Sequence, residues 1–133
     1  MRHRYNHTRL GPPAPVVPVT VTSSSDAGTE ATRVGLVDTG AEVTLLPHTL
    51  LDSLGAKPAG LCHILGVNRT VIGPFPTYYL HVELAGVRTF IKVVGGGDEV
   101  ILGRNLLNDF KMELDGPAQT LTVCAPSPPS PAP

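Results

Sequence analysis

A single aspartate, Asp38, is the residue in this sequence best placed to do chemistry. It stands inside Val34-Gly35-Leu36-Val37-Asp38-Thr39-Gly40-Ala41-Glu42-Val43-Thr44-Leu45-Leu46, where an apolar run meets one acid and a few small residues before a second apolar run begins. That layout predicts a buried strand entering a tight loop and leaving as another strand, with a carboxylate at the turn. A carboxylate held between stretches of buried β-structure is costly unless something uses it, as a group that gives or takes a proton does. Gly40 supplies the backbone freedom to turn and to come close to a ligand or another chain. Asp, Thr and Gly are equally the residues of an ordinary turn, so the triplet alone leaves both readings open.

Other chemistries find little support. His48, His63 and His81 lack the spacing of a metal site on one element, and His63 beside Cys62 makes no ligand set, so neither a metal nor another cofactor is expected. The serines lie largely in loops and tails, with no G-x-S-x-G elbow. Gly95-Gly96-Gly97 lacks the lysine and following helix of a phosphate loop. Cys62 and Cys124 form no CxxC motif and are expected to be reduced thiols.

With 133 residues the chain is read as one domain, long enough for a modest core. A formal net charge of -1 argues against a nucleic-acid footprint, and the lack of tryptophan argues against a base-stacking platform. No apolar run reaches the length of a membrane span, and the opening residues are not followed by a signal-peptide core. These features predict a soluble, cytoplasmic protein with neither nucleic acid nor membrane as partner.

The elements that must position Asp38 can be read in order. Residues 1–15 are polar, basic and then proline-rich, the composition of a disordered arm. Residues 16–22 alternate as a strand with Pro18 at an edge, 23–30 form a loop, and 31–37 return as the strand that delivers Asp38. Residues 47–55 predict a short helix, with Pro47 in its first turn and Gly55 at its C-terminal cap. Two β-prone arms in 61–72 flank Gly66 to Asn68, a hairpin signal. Residues 78–84 and 87–94 predict an antiparallel pair with one buried face, and 95–99 a flexible loop. After the strand 100–102 come a short helix over 104–110 and a hairpin over 111–123. Residues 125–133, mostly proline, serine and alanine, predict a disordered tail and leave 16–124 as the folded domain.

The pairing of Asp38-Thr39-Gly40-Ala41 after an apolar strand with the later Ile101-Leu102-Gly103-Arg104-Asn105-Leu106-Leu107 resembles the retropepsin-like aspartic proteases, single-domain relatives of retroviral protease. The resemblance implies an all-β fold, a closed barrel-like sheet with one or two short helices, whose functional unit is a two-fold homodimer. The expected helix at 47–55 and the C-terminal hairpin resemble cellular retropepsin-like domains and pepsin lobes more than retroviral enzymes, whose chain ends in one interface strand.

The activity implied is aspartic endoproteolysis, in which two facing carboxylates share a proton, one activating water and the other protonating the scissile carbonyl. One motif in so short a chain implies that Asp38 comes from each subunit across a two-fold axis. In the same resemblance, Thr39 hydrogen-bonds across the dimer beneath the dyad and Gly40 brings its backbone to substrate. Ala41, Glu42, Leu45, Leu65, Gly66, Val67 and Ile101 would border an extended peptide, with the hairpin 61–72 as a flap. Arg104 would be a structural residue of the dimer, paired with Glu42, and the loop carrying Asp98 and Glu99 would border the side-chain pockets. The partners implied are a second copy and a polypeptide substrate. The flap is poorer in glycine than retroviral flaps, so a catalytically weak dimerisation or peptide-binding module stands as the alternative.

Overall fold

Alternating apolar residues dictate most of the architecture, seen in a computed structural model that describes residues 1–8, 11–23 and 29–126. The chain starts with a three-residue strand, β1 (Arg2–Arg4). In β2 (Val16–Thr22) the buried residues are Val17, Val19 and Val21, the period-two signature of a half-buried strand. β3 (Glu30–Val37) pairs antiparallel with β2 from Val16↔Leu36 to Thr22↔Glu30. There follow β4 (Thr44–Leu46), α1 (His48–Ser53), β5 (Gly60–Leu65), β6 (Val71–Leu84), β7 (Val87–Gly95), β8 (Val100–Leu102), α2 (Arg104–Leu107), β9 (Lys111–Asp115) and β10 (Thr120–Cys124).

The sheet closes on itself. Strands run β2-β3-β8-β4-β7-β6, and β6 returns to β2 through Thr20↔Glu83, Val21↔Val82 and Thr22↔His81. Closure removes the open edges of those strands and encloses Val19, Leu46, Leu80, Val93 and Leu102, all essentially without solvent exposure. β5 stands outside the ring as an extension from β6. β3 with β8 and β4 with β7 are parallel pairs, and β4 meets β8 at Leu45↔Ile101. A second sheet, β1-β10-β9, adds Leu121 and Val123 to the core.

The expected helix after β4 is present. Pro47 occupies its N-cap, Leu50 and Leu51 are buried, and Gly55 follows the C-cap at φ +65, where a side chain would be strained. Other elements differ from expectation. The second arm of the 61–72 hairpin and the strand at 78–84 are one continuous β6, because the irregular residue Pro74 sits where the β5–β6 register shifts and no ladder N–H is required of it. α2 ends at Leu107 rather than continuing to Phe110, since Asp109 and Phe110 donate to carbonyls three residues back, tightening the chain before β9.

The glycines at the start of the loop 95–99 are not a flexible tether. Gly95 ends β7 and Gly96 is buried, and a Cβ on Gly95 would lie 2.9 Å from Tyr78 and 3.0 Å from Leu51.

The stretch 1–15, expected to be a disordered arm, contributes β1, which pairs with β10 from Arg2↔Thr122 to Arg4↔Thr120. Asn6 and Ala14 exchange backbone hydrogen bonds at 2.8 and 3.1 Å, turning the chain towards β2. Most of the expected loop 23–30, and the expected tail beyond Pro126, lie outside the described residues. Among the described residues no helix is long and apolar enough to cross a membrane.

Candidate active site

The parallel pair β3–β8 carries Asp38 to the end of the sheet. Gly35, Leu36 and Val37 lie opposite Val100, Ile101 and Leu102, and the Asp38 N–H extends the ladder to the Leu102 carbonyl at 3.1 Å. Gly35 permits this approach, because a Cβ there would lie 2.8 Å from the Leu102 side chain. The loop then folds back on the acid. Gly40 N–H donates to Asp38 Oδ1 at 2.9 Å, and Ala41 N–H donates to the Asp38 carbonyl at 3.2 Å. Asp38 is half-buried while Thr39 and Gly40 are exposed. The Asp38 carboxylate is thus fixed by its own loop yet open on one side.

The second motif braces this loop from beneath. Arg104 N–H donates to the Ala41 carbonyl at 2.8 Å and Asn105 N–H to the Glu42 carbonyl at 3.2 Å, so the first donors of α2 are satisfied by the loop's main chain. Arg104 Nη1 donates to the Thr39 carbonyl at 2.8 Å. Gly103 lies against the main chain of Val43 so tightly that a Cβ would collide with the Val43 carbonyl group. The glycine is therefore a requirement of the two chains crossing.

A polar knot holds the crossing. Asn105 Oδ1 accepts from Thr44 N–H and from Thr44 Oγ1, each at 3.0 Å, and Asn105 Nδ2 donates to the Lys92 carbonyl at 2.7 Å. Thr44 Oγ1 in turn accepts from Gly103 N–H at 3.1 Å. Thr44 is fully buried, so the bonds it makes compensate groups removed from water. Neither Thr44 nor Asn105 is among the site residues expected from sequence. A lone threonine in the apolar run 43–46, and an amide just after Gly103-Arg104, are the signals that point to them.

Of the expected site residues, the structure brings Asp38, Thr39, Gly40, Ala41, Glu42 and Arg104 into one hydrogen-bonded unit. Leu45 and Ile101 are register partners, and Ile101 is also opposite Leu36, giving a row of three half-buried apolar side chains on the outward face beside Asp38. Leu65, Gly66 and Val67 belong to the β5–β6 hairpin, whose connection is a tight turn with Asn68 and Arg69 both at φ +60, the left-handed conformation of a hairpin turn. The expected Glu42–Arg104 ion pair is not formed among the described residues. The guanidinium is engaged by the Thr39 carbonyl instead, and Glu42 is exposed and bonded through its main chain. Among the described residues no group of three or more His, Cys, Asp or Glu side chains is arranged to hold a metal ion.

This barrel has counterparts among solved structures. It is similar to the EIAV protease complexed with the inhibitor HBY-793, at 20% identity and TM-score 0.56, over 80% of this chain and 93% of that one. It is also similar to a retropepsin-like aspartic protease from Rickettsia conorii, at 22% identity and TM-score 0.50, over 83% of this chain and 96% of that one. No protein-family model matches the chain, and no curated protein matches its sequence. The chain has the retropepsin-like fold, all-β with a closed barrel and two short helices among the described residues.

Proposed function

We propose that the protein is an aspartic endopeptidase whose dyad is assembled across a homodimer, one Asp38 from each subunit. The observation that carries this reading is the Asp38 loop itself. A carboxylate is presented at the open end of a rigid sheet with one oxygen fixed by Gly40 N–H, and the chain holds a single copy of the motif. A second carboxylate must then come from a second copy. Two such groups face to face share one proton. The ionised one removes a proton from the attacking water while the protonated one donates to the carbonyl oxygen.

The remaining roles follow from position. Thr39, exposed beside Asp38 with its carbonyl held by Arg104, would meet its counterpart across the two-fold axis. Gly40 and Ala41 offer main chain to an extended peptide, and Glu42 lies at the rim. Leu45 and Ile101 supply an apolar wall for a substrate side chain. Leu65, Gly66 and Val67, at the end of the β5–β6 hairpin, cover the peptide from the other side; Val67 is 85% exposed in the free chain and gains burial when substrate is present. No metal or cofactor takes part.

The test is cleavage of a mixed peptide library between about pH 4 and 7, where shared-proton carboxylate chemistry operates. Wild type is compared with Asp38→Asn over protein concentrations that bracket dimerisation. The expected result is cutting whose rate rises faster than linearly with protein at high dilution, and a loss of about a hundredfold or more in the variant. A folded, dimeric wild type with no Asp38-dependent cutting would instead establish a peptide-binding or dimerisation module.

A further inference from the structure

Away from Asp38, the β1-β10-β9 sheet carries a second polar feature. Arg2 and Arg4 lie in register with Thr122 and Thr120, which pair onward with Glu113 and Asp115. Residues in register share a face, so this face reads basic on β1, neutral on β10 and acidic on β9. The acids stand two strands from the arginines, and among the described residues neither Arg2 nor Arg4 forms an ion pair with them. A cleft of about 520 Å³ opens at the basic side, lined by Arg2, Arg4, His7, Ala118, Gln119 and Thr120. No acid is among its lining residues, and its one ring is the His7 imidazole.

We propose that this cleft binds an extended acidic peptide, with carboxylates at alternate positions seated on Arg2 and Arg4. Three observations select that class. The two guanidinium groups arise two residues apart on one strand, about 6.6 Å along it, which is the repeat of alternate side chains on another strand. β1 pairs only with β10 among the described residues, so its other edge offers unpaired main-chain groups to an added strand. The lining holds no acid to repel carboxylates and little of the apolar surface that a lipid chain needs. The site is separate from the Asp38 loop, and the inference stands whether or not the protein is a protease.

The experiment is fluorescence anisotropy at low salt with the full chain and labelled peptides in which threonine alternates with glutamate. The expected result is saturable binding that weakens by about tenfold when glutamine replaces glutamate in the peptide, and by about as much in Arg2→Gln/Arg4→Gln, the size two exposed ion pairs support. Because the glutamine peptide leaves the protein untouched, it separates lost recognition from lost folding. A control peptide carries the same glutamates in one block. Equal binding of the block and alternating peptides, unchanged binding in the double variant, or no binding of the alternating peptide would each overturn the proposal.

Discussion

The Asp38 loop and the β5–β6 hairpin border the same proposed peptide site and are built on opposite principles. The loop is crossed by a buried strand-to-helix junction and tied to it by main-chain and side-chain bonds from Gly103, Arg104 and Asn105. The hairpin projects from the barrel with Leu61, Leu65, Val67 and Val71 largely exposed and Ile72 about half so. Its tip is held locally, by Gly66 N–H on the Thr70 carbonyl at 2.7 Å and Thr70 N–H on the Val67 carbonyl at 3.3 Å. One region fixes an acid in place, and the other has few contacts to lose if it moves. Low local stability is what a segment that must open and close requires.

The same substitution at one glycine in each region gives the sharpest contrast. Gly103→Ala drives a Cβ into the Val43 main chain, which cannot yield without moving the Asp38 loop. A loss of about 3 kcal/mol is expected in denaturant unfolding. Gly66→Ala brings a Cβ within 2.7 Å of Ile72 Cδ1, the free end of a side chain that is 46% exposed and can rotate aside. Its expected loss is below about 1 kcal/mol. Similar losses at the two positions would mean that the loop is no more tightly built than the hairpin.

The next effect concerns the polar knot alone. Asn105→Ala strips Thr44 N–H and the Lys92 carbonyl of their partner, at an expected cost of about 2 kcal/mol. Thr44→Val removes the acceptor of Gly103 N–H. In a double-mutant cycle the two losses should fall short of additive by about 1 kcal/mol, since both variants break the Thr44–Asn105 bonds. Strict additivity would show that the two residues act independently.

The rigid region was the more legible of the two in sequence, though only in part. Asp38 at a strand end, α1 between Pro47 and Gly55, and the hairpins follow from local chemistry, because period, proline and glycine act over a few residues. The knot did not follow. Thr44 and Asn105 are 61 positions apart, and nothing local tells a threonine in an apolar run that its partner is an amide on a distant helix. β1 was missed for the same reason: its polar, basic residues resemble a solvated arm, and the strand exists only because β10, far along the chain, offers an edge. The Glu42–Arg104 pair, expected from the family resemblance, is not formed among the described residues, and the Thr39 carbonyl takes the guanidinium.

The smallest expected effect lies at β1, a third way of holding chain against the core. His3 is in register with Leu121, on the inward face of the strand, and its Nε2 is shielded from solvent without a hydrogen-bond partner among the described residues. Burial, and secondarily the nearby terminal ammonium, hold its pKa below the ordinary 6.5. The docked strand therefore binds a proton less readily than the released one, so docking is fully retained above about 6.5 and weakens as pH falls through the docked-state value. Amide exchange at the β1–β10 bonds, corrected for its intrinsic pH dependence, should show more opening at pH 5 than at pH 7 in wild type and no such difference in His3→Leu. Because β1 spans only Arg2–Arg4, the change should stay local and leave exchange around Thr44 unaltered. A pH response shared by β1 and the Thr44 knot would tie the strand to the rigid region, and a response that survives His3→Leu would assign the titration to another group.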